Sequence, residues 1–226
     1  MKSHLNGAVQ VLVAAVALTA AAGASAQSAG QFAAKVGYNQ ITPKVASGDV
    51  SAPALPGTKA RVGKDAQPIL ALAYALTDNI VAELDAGLPY THELYGAGSI
   101  EGAGKLGTVD ALPPTVFLQY RMFKPESMVR PYAGVGLTYA SFQKETGSGQ
   151  LTALTNPGGP PTTFEIDGKV CATLQLGAIV NIGAKYFLDF AVTKTYLKTT
   201  VHYSTGQTQK MTLNPEGVSL SVGYKF

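Results

Sequence analysis

Residues able to do chemistry are sparse in this chain and poorly placed for it. Histidine occurs at 4, 92 and 202, and Cys171 is the single cysteine among 226 residues. A nucleophile needs a base beside it, yet no G-x-S-x-G elbow accompanies His92 or His202, both of which fall in or beside loops. His92-Glu93 sets two metal-ligating groups side by side, short of the three or four donors a zinc site uses. Cys171 cannot close an internal disulfide and reads as a small packing residue. The sequence therefore predicts no catalytic site, no metal and no cofactor. The informative charges are Glu83, Asp85, Arg121, Lys169 and Asp189, and their meaning depends on the elements that hold them.

Those elements read as strands. In Phe32–Ile41 the apolar Phe32, Ala34, Val36 and Tyr38 alternate with Lys35, Gly37 and Asn39. The same period of two recurs in Gln67–Leu76, Ile80–Tyr90, Leu112–Met122, Pro131–Tyr139, Lys169–Asn181, Leu188–Thr193 and Val218–Phe226. Each is a strand with one apolar face and one small or polar face. All five charges take the second face, together with Gly134 and Gly136. Beyond residue 26 no stretch approaches the ~18 consecutive apolar residues of a membrane helix. Hydrophobic residues nonetheless reach 46% while charged residues are 14%, against roughly 25% in soluble domains. Much of the surface is thus expected to face something other than water. The basic residues are dispersed, which argues against nucleic acid as a partner.

Lys2 and His4, the apolar run Ala8–Ala22 and the small-residue site Ala24-Ser25-Ala26 read as a signal peptide over residues 1–26, leaving one domain at 27–226. Losing Lys2 lowers the formal charge from +3 to about +2. The connections alternate in length. Thr77–Asn79, Lys124–Val129 and Ile182–Lys185 are short. Pro43–Ala66, Thr91–Val109, Phe142–Asp167 and Thr199–Thr212 are long, rich in Gly, Pro, Ser and Thr, and nearly devoid of large apolar residues. A transmembrane barrel shows this asymmetry, with short turns in the periplasm and long loops outside. Lipid supplies no hydrogen-bond partner, so a sheet spans it only by closing on itself.

The expected fold is all-β, an eight-stranded antiparallel transmembrane β-barrel in the outer membrane, surrounded by outer-membrane lipid, with both termini periplasmic. Tyr38, Tyr74, Tyr90, Tyr120, Tyr139, Tyr186 and Tyr224 would form its aromatic girdles. Glu83, Asp85, Arg121, Lys169 and Asp189 would face the lumen, either as a self-satisfied plug or as an ion block beneath an open outer half. The inward Gly37, Ala71, Ala73, Gly87, Gly134, Gly136, Gly177 and Gly223 would leave room. A phenylalanine at 134 or 136 is then expected to narrow the passage without unfolding the barrel.

Several stretches also resemble a known family. Tyr74 through Leu84 followed by Gly87-Leu88-Pro89 is similar to the second hairpin of the OmpW family of outer-membrane proteins. Leu112-Pro113-Pro114-Thr115 with Gln119-Tyr120 resembles its fourth strand, and Arg130 through Gly136 with Tyr139 resembles its fifth. Gly223-Tyr224-Lys225-Phe226 resembles the terminal signal read by barrel-assembly machinery, with Tyr224 and Phe226 as its aromatic residues. The likeness weakens in the four long loops. It implies a narrow apolar channel for small hydrophobic molecules, entered from outside and left sideways through the barrel wall. The alternative is a closed structural or receptor barrel whose loops bind partners. Inward glycines and alanines favour the channel, inward charges the closed barrel. The solute and the oligomeric state are not legible.

Overall fold

The computed structural model describes residues 28–226 with the exception of Leu55, so the expected signal peptide lies outside the described residues. Eight strands form a closed wall: β1 (Phe32–Thr42), β4 (Asp65–Ala75), β5 (Ile80–Gly87), β8 (Thr115–Arg121), β9 (Val129–Gly147), β11 (Lys169–Ile182), β12 (Tyr186–Thr195) and β15 (Glu216–Lys225). They pair antiparallel in the order just given, and β15 returns to β1 to close the ring. The expected eight-stranded antiparallel barrel is therefore present.

Alternation decides which way each strand faces, because a one-residue slip would exchange its two sides. Val36, Tyr38, Val135, Leu137, Leu176 and Leu220 are exposed on the outside, while Ala33, Lys35, Tyr132, Thr138, Gln175 and Ser221 are buried within. At one end lie the start of β1, Phe226 and three tight connections. Thr77 Oγ1 accepts from the backbone N–H of Asn79 and Ile80 in the first of these. Asn181 Nδ2 donates to the carbonyls of Pro125 and Ser127, tying the second to the third, where Gly183 takes the positive φ of +67° that the turn requires.

The long connections differ from expectation. They are not irregular loops but further strands: β2 (Ala46–Ser47), β3 (Thr58–Val62), β6 (Tyr90–Gly98), β7 (Lys105–Leu112), β10 (Phe164–Ile166), β13 (Lys198–Tyr203) and β14 (Thr208–Thr212), with one short helix, α1 (Gly149–Thr155). β7 pairs with the distal half of β9, and β6 and β3 follow it; β10, β13, β14 and β2 make a separate four-stranded sheet. Leu106, Leu151, Phe164, Leu197, Val201, Met211 and Leu213 form a buried cluster there. Five of these, Leu106, Leu151, Phe164, Val201 and Met211, fall within the long connections themselves, spaced too widely to register as an apolar run.

Two strands stop short of their expected bounds at prolines. The segment expected as Ile80–Tyr90 stops at Gly87, and that expected from Leu112 starts at Thr115. Pro89, Pro113 and Pro114 account for both, since proline has no N–H to donate to a ladder. The break reverses facing: Tyr90, expected in a lipid-facing girdle, is buried inside.

Candidate functional site

The lumen has three levels. At the turn end, Lys35 on β1, Glu83 on β5, Arg121 on β8 and Asp189 on β12 all point inward and are buried. Lys35 Nζ lies 2.9 Å from Glu83 Oε1 and is hydrogen-bonded to Asp189 as well. Arg121 Nη2 stands 3.3 Å from Glu83 Oε2. Gln119 Nε2 donates to Glu83 Oε1 and Gln175 Oε1 at 2.7 and 2.8 Å, and its own Oε1 accepts from Arg121. The Tyr132 hydroxyl donates to Asp189 Oδ1 at 2.8 Å. Isolated charges in this place would be prohibitive, and pairing with saturated hydrogen bonding is what makes them tolerable. Below them Arg130 donates to the carbonyls of Met122, Asp78 and Phe123, and Lys225 Nζ donates to Asn181 Oδ1.

Three rings complete this seal. Phe117 lies directly across from Gly136, Tyr132 from Gly177, and Phe187 from Gly223. A Cβ on any of the three glycines would meet the opposing ring. Gly136, Gly177 and Gly223 therefore do not leave the open room expected of them, because aromatic side chains occupy it, whereas Gly87 borders the chamber above. A phenylalanine at 136 would collide with Phe117 rather than project into free space. Gly134 is less constrained, its nearest neighbours being the side chains of Gln175 and Gln119.

Above the charges runs a ladder of threonines on successive strands. Thr115, Thr138, Thr173 and Thr195 link through their hydroxyls at 2.8, 2.5 and 2.9 Å. Asn39 Nδ2 donates to the Tyr90 hydroxyl on the facing wall. Beyond this level the lumen turns apolar and encloses a cavity of about 150 Å³, lined by Ile41, Leu94, Phe142, Phe164, Met211 and Leu213 among others. Asp85 lines its floor.

The residues singled out from sequence thus separate. Glu83, Arg121 and Asp189 come together in one network, Asp85 stands above it at the cavity floor, and Gly134 and Gly136 face inward between them. Lys169 does not reach the lumen. It sits exposed at the far end of β11, 3.3 Å from Asp167, because inward parity loses its meaning where the wall ends. Tyr224 and Phe226 stack edge to face on the outside of the last strand, their centroids 5.1 Å apart. His92 and Glu93 point to opposite faces of β6, which removes them as a shared ligand pair. His92 Nδ1 is 2.8 Å from the Gly63 carbonyl, and burial holds its imidazole below the usual range. Glu93 faces solvent and accepts from Lys105. His202 is exposed beside Asp167. Among the described residues no three His, Cys, Asp or Glu side chains form a metal-binding group.

Lys35 and Tyr132 were the functional residues least visible in advance. Both lie on the inward parity of their segments, so the signal existed. It needed only the inference that every inward charge must find a partner.

A barrel with this topology and facing invites comparison with known proteins. A family model described as OmpW family matches residues 28–226. The chain belongs to the OmpW family. Among OmpW-family relatives, outer membrane protein W of Vibrio cholerae is 29% identical over 218 residues, covering 95% of this chain and 97% of that one. Outer membrane protein W of Salmonella typhi is 31% identical, covering 95% and 98%. The crystal structure of OprG from Pseudomonas aeruginosa aligns with a TM-score of 0.79 at 26% identity, over 88% of this chain and 97% of that one. The solid-state NMR structure of AlkL in lipid bilayers aligns at 0.66 and 25% identity. This OmpW-family member is accordingly an outer-membrane barrel whose lumen joins a charged floor to an apolar chamber.

Proposed function

We propose that the barrel admits small apolar molecules from outside the cell into its upper chamber and releases them sideways into the outer membrane. One observation carries this reading: an apolar cavity of about 150 Å³ stands directly above a floor of paired charges and interlocked rings. A solute that prefers the chamber gains nothing by entering the floor, where it would separate ion pairs at high cost. A side exit is the cheaper route. Between the β5–β8 ladder, ending at Asp85 and Thr115, and the β6–β7 ladder, starting at Tyr90 and Ala111, the two segments do not pair with each other, and Pro89, Pro113 and Pro114 supply no donors. Ala86, Gly87 and Pro113 at this gap also line the chamber. A relative 25% identical over 76% of this chain is named as a dibenzothiophene metabolism operon protein, PahQ of Pseudomonas aeruginosa, a name that ties it to an apolar aromatic compound.

In this reading residues 1–26 are a removed signal peptide, the turn end and both termini face the periplasm, and the long extension faces outward. Outer-membrane lipid contacts the apolar belt, and assembly machinery engages Tyr224 and Phe226. Deleting Phe226 is expected to lower the amount of heat-modifiable barrel in outer-membrane fractions, and an unchanged amount removes that assignment.

Cells with and without the protein, given a panel of apolar and polar solutes, test the conduit. Faster entry of apolar solutes, with little ion current through the purified barrel, is the expected result. Equal entry of every solute with a correctly folded barrel would leave the closed receptor barrel as the better reading.

A further inference from the structure

Asp85 meets the carboxyl of Glu83 at the top of the charged floor, yet one of its oxygens stands alone. Among the described residues its Oδ1 is the buried side-chain polar atom for which no hydrogen-bond partner is present. Native proteins rarely leave such an atom unsatisfied, and an exception calls for a reason. Its surroundings explain why no protein group supplies one. Lys35 is engaged by Glu83 and Asp189, and Arg121 by Glu83 and Gln119. The threonine ladder is bonded to itself, and Asn39 is bonded to Tyr90. Asp85 pairs in register with Thr115, at the level where the charged floor meets the apolar chamber, and its side chain borders the cavity. Glu83, the carboxyl it meets, is itself engaged by Lys35, Arg121 and Gln119, so the floor offers Oδ1 no free donor.

We propose that Asp85 is a polar anchor for the chamber's occupant, and that the preferred occupant is an apolar molecule ending in a hydrogen-bond donor, a hydroxyl or an amino group. The inference rests on the conduit reading and narrows its substrate class. Ligand sites commonly combine an apolar wall with very few convergent polar groups that set orientation. In this chamber the wall would take the hydrocarbon body, and Asp85 would receive the donor end. A bare hydrocarbon would enter but leave the acceptor unmet. An ether would bring a second acceptor against it.

The test uses the purified full barrel in lipid nanodiscs, with carboxyl-labelled aspartate observed by carbon NMR. The Asp85 resonance is assigned from its loss in Asp85→Leu. Hexanol, hexylamine and hexyl methyl ether are titrated in turn. Hexanol and hexylamine are expected to move the Asp85 resonance, and hexanol to bind about tenfold more tightly than the ether, the worth of one buried hydrogen bond. In Asp85→Leu the alcohol and the ether should bind equally. If that variant fails to fold, Asp85→Ala, smaller and likewise without an acceptor, should bind the alcohol and the ether equally. Equal binding of alcohol and ether by the unaltered barrel, or an unmoved Asp85 resonance at saturation, would overturn the proposal. Cellular uptake of hexane, which has no donor, judges the conduit separately, so the two readings can fail independently.

Discussion

The two halves of this barrel obey opposite rules. In the turn half, the outside is apolar and the inside carries Lys35, Glu83, Arg121 and Asp189; in the extension, the outside is polar and the inside is apolar. Both can occur on one strand. Along β9 the outward side passes from Val135, Leu137 and Tyr139 to Ser141 and Gln143, while the inward side passes from Gly134, Gly136 and Thr138 to Ala140 and Phe142. Among the described residues, no exposed large apolar side chain lies on β2, β3, β6, β7, β10, β13 or β14. The solvent on each side explains the reversal. Where lipid is outside, the polar residues must turn inward and satisfy one another; where water is outside, the apolar residues turn inward as in any soluble protein.

The contrast can be broken most severely at Lys35. Lys35→Met leaves Asp189 without a cation in the lumen and Glu83 with Arg121 alone, and a cost of about 3–5 kcal/mol is expected, read as a lower denaturant midpoint for the refolded barrel in lipid. The double variant Lys35→Met, Asp189→Asn, which leaves the Glu83–Arg121 pair intact, should recover most of the loss. No recovery would mean that the network's value lies in shape rather than charge. An intermediate effect is expected from bulk. Gly136→Phe drives side-chain atoms into the Phe117 ring and sets its Cβ 2.9 Å from the Val116 carbonyl oxygen, costing about 1–3 kcal/mol or more. Val201→Phe, which grows into the chamber instead, should cost ~1 kcal/mol or less and slow apolar uptake. Equal destabilisation by the two would erase the distinction between a filled floor and an open chamber.

The smallest effect concerns pH. Burial depresses the His92 imidazole, with Tyr90, Asp65 and Asp110 around it and its Nδ1 against Gly63. The unfolded chain therefore binds a proton at His92 more readily than the folded one. The stability this neutral histidine lends is present above its ordinary value near pH 6.5 and declines as pH falls toward the depressed value. Faster protease cleavage of the extension at pH 5 than at pH 7.5, abolished in His92→Gln, is the expected result, with the turn half unaffected. Cleavage independent of pH would show that His92 does not hold the extension.

The reversal also explains what could be read from the chain beforehand. Alternation located all eight wall strands, because each keeps one apolar parity for as long as lipid lies against it. It misplaced Tyr90 because Ile80–Tyr90 keeps the same apolar parity across Leu88-Pro89, while the wall breaks there and inside replaces outside. It missed β3, β7, β10, β13 and β14 because their buried apolar residues, such as Leu106, Phe164 and Val201, are single positions among Gly, Thr and Lys. It placed Glu83, Arg121 and Asp189 inward, as they are, and Lys169 inward, where it is not, because parity carries no information about how far along a strand the wall extends. Their mutual pairing belongs to cross-barrel geometry, which strand period alone does not encode.

The rings set opposite Gly136, Gly177 and Gly223 bear on assembly as well as on closure. Each ring covers a partner without a side chain, and a shift of one residue in any of these three pairings would bring a residue with a side chain beneath the ring: Val135 or Leu137 under Phe117, Leu176 or Ala178 under Tyr132, Val222 or Tyr224 under Phe187. The three pairs thus act as keyed notches around the circumference. A barrel closed out of step cannot seat them, so the three pairs favour the native register over its neighbours.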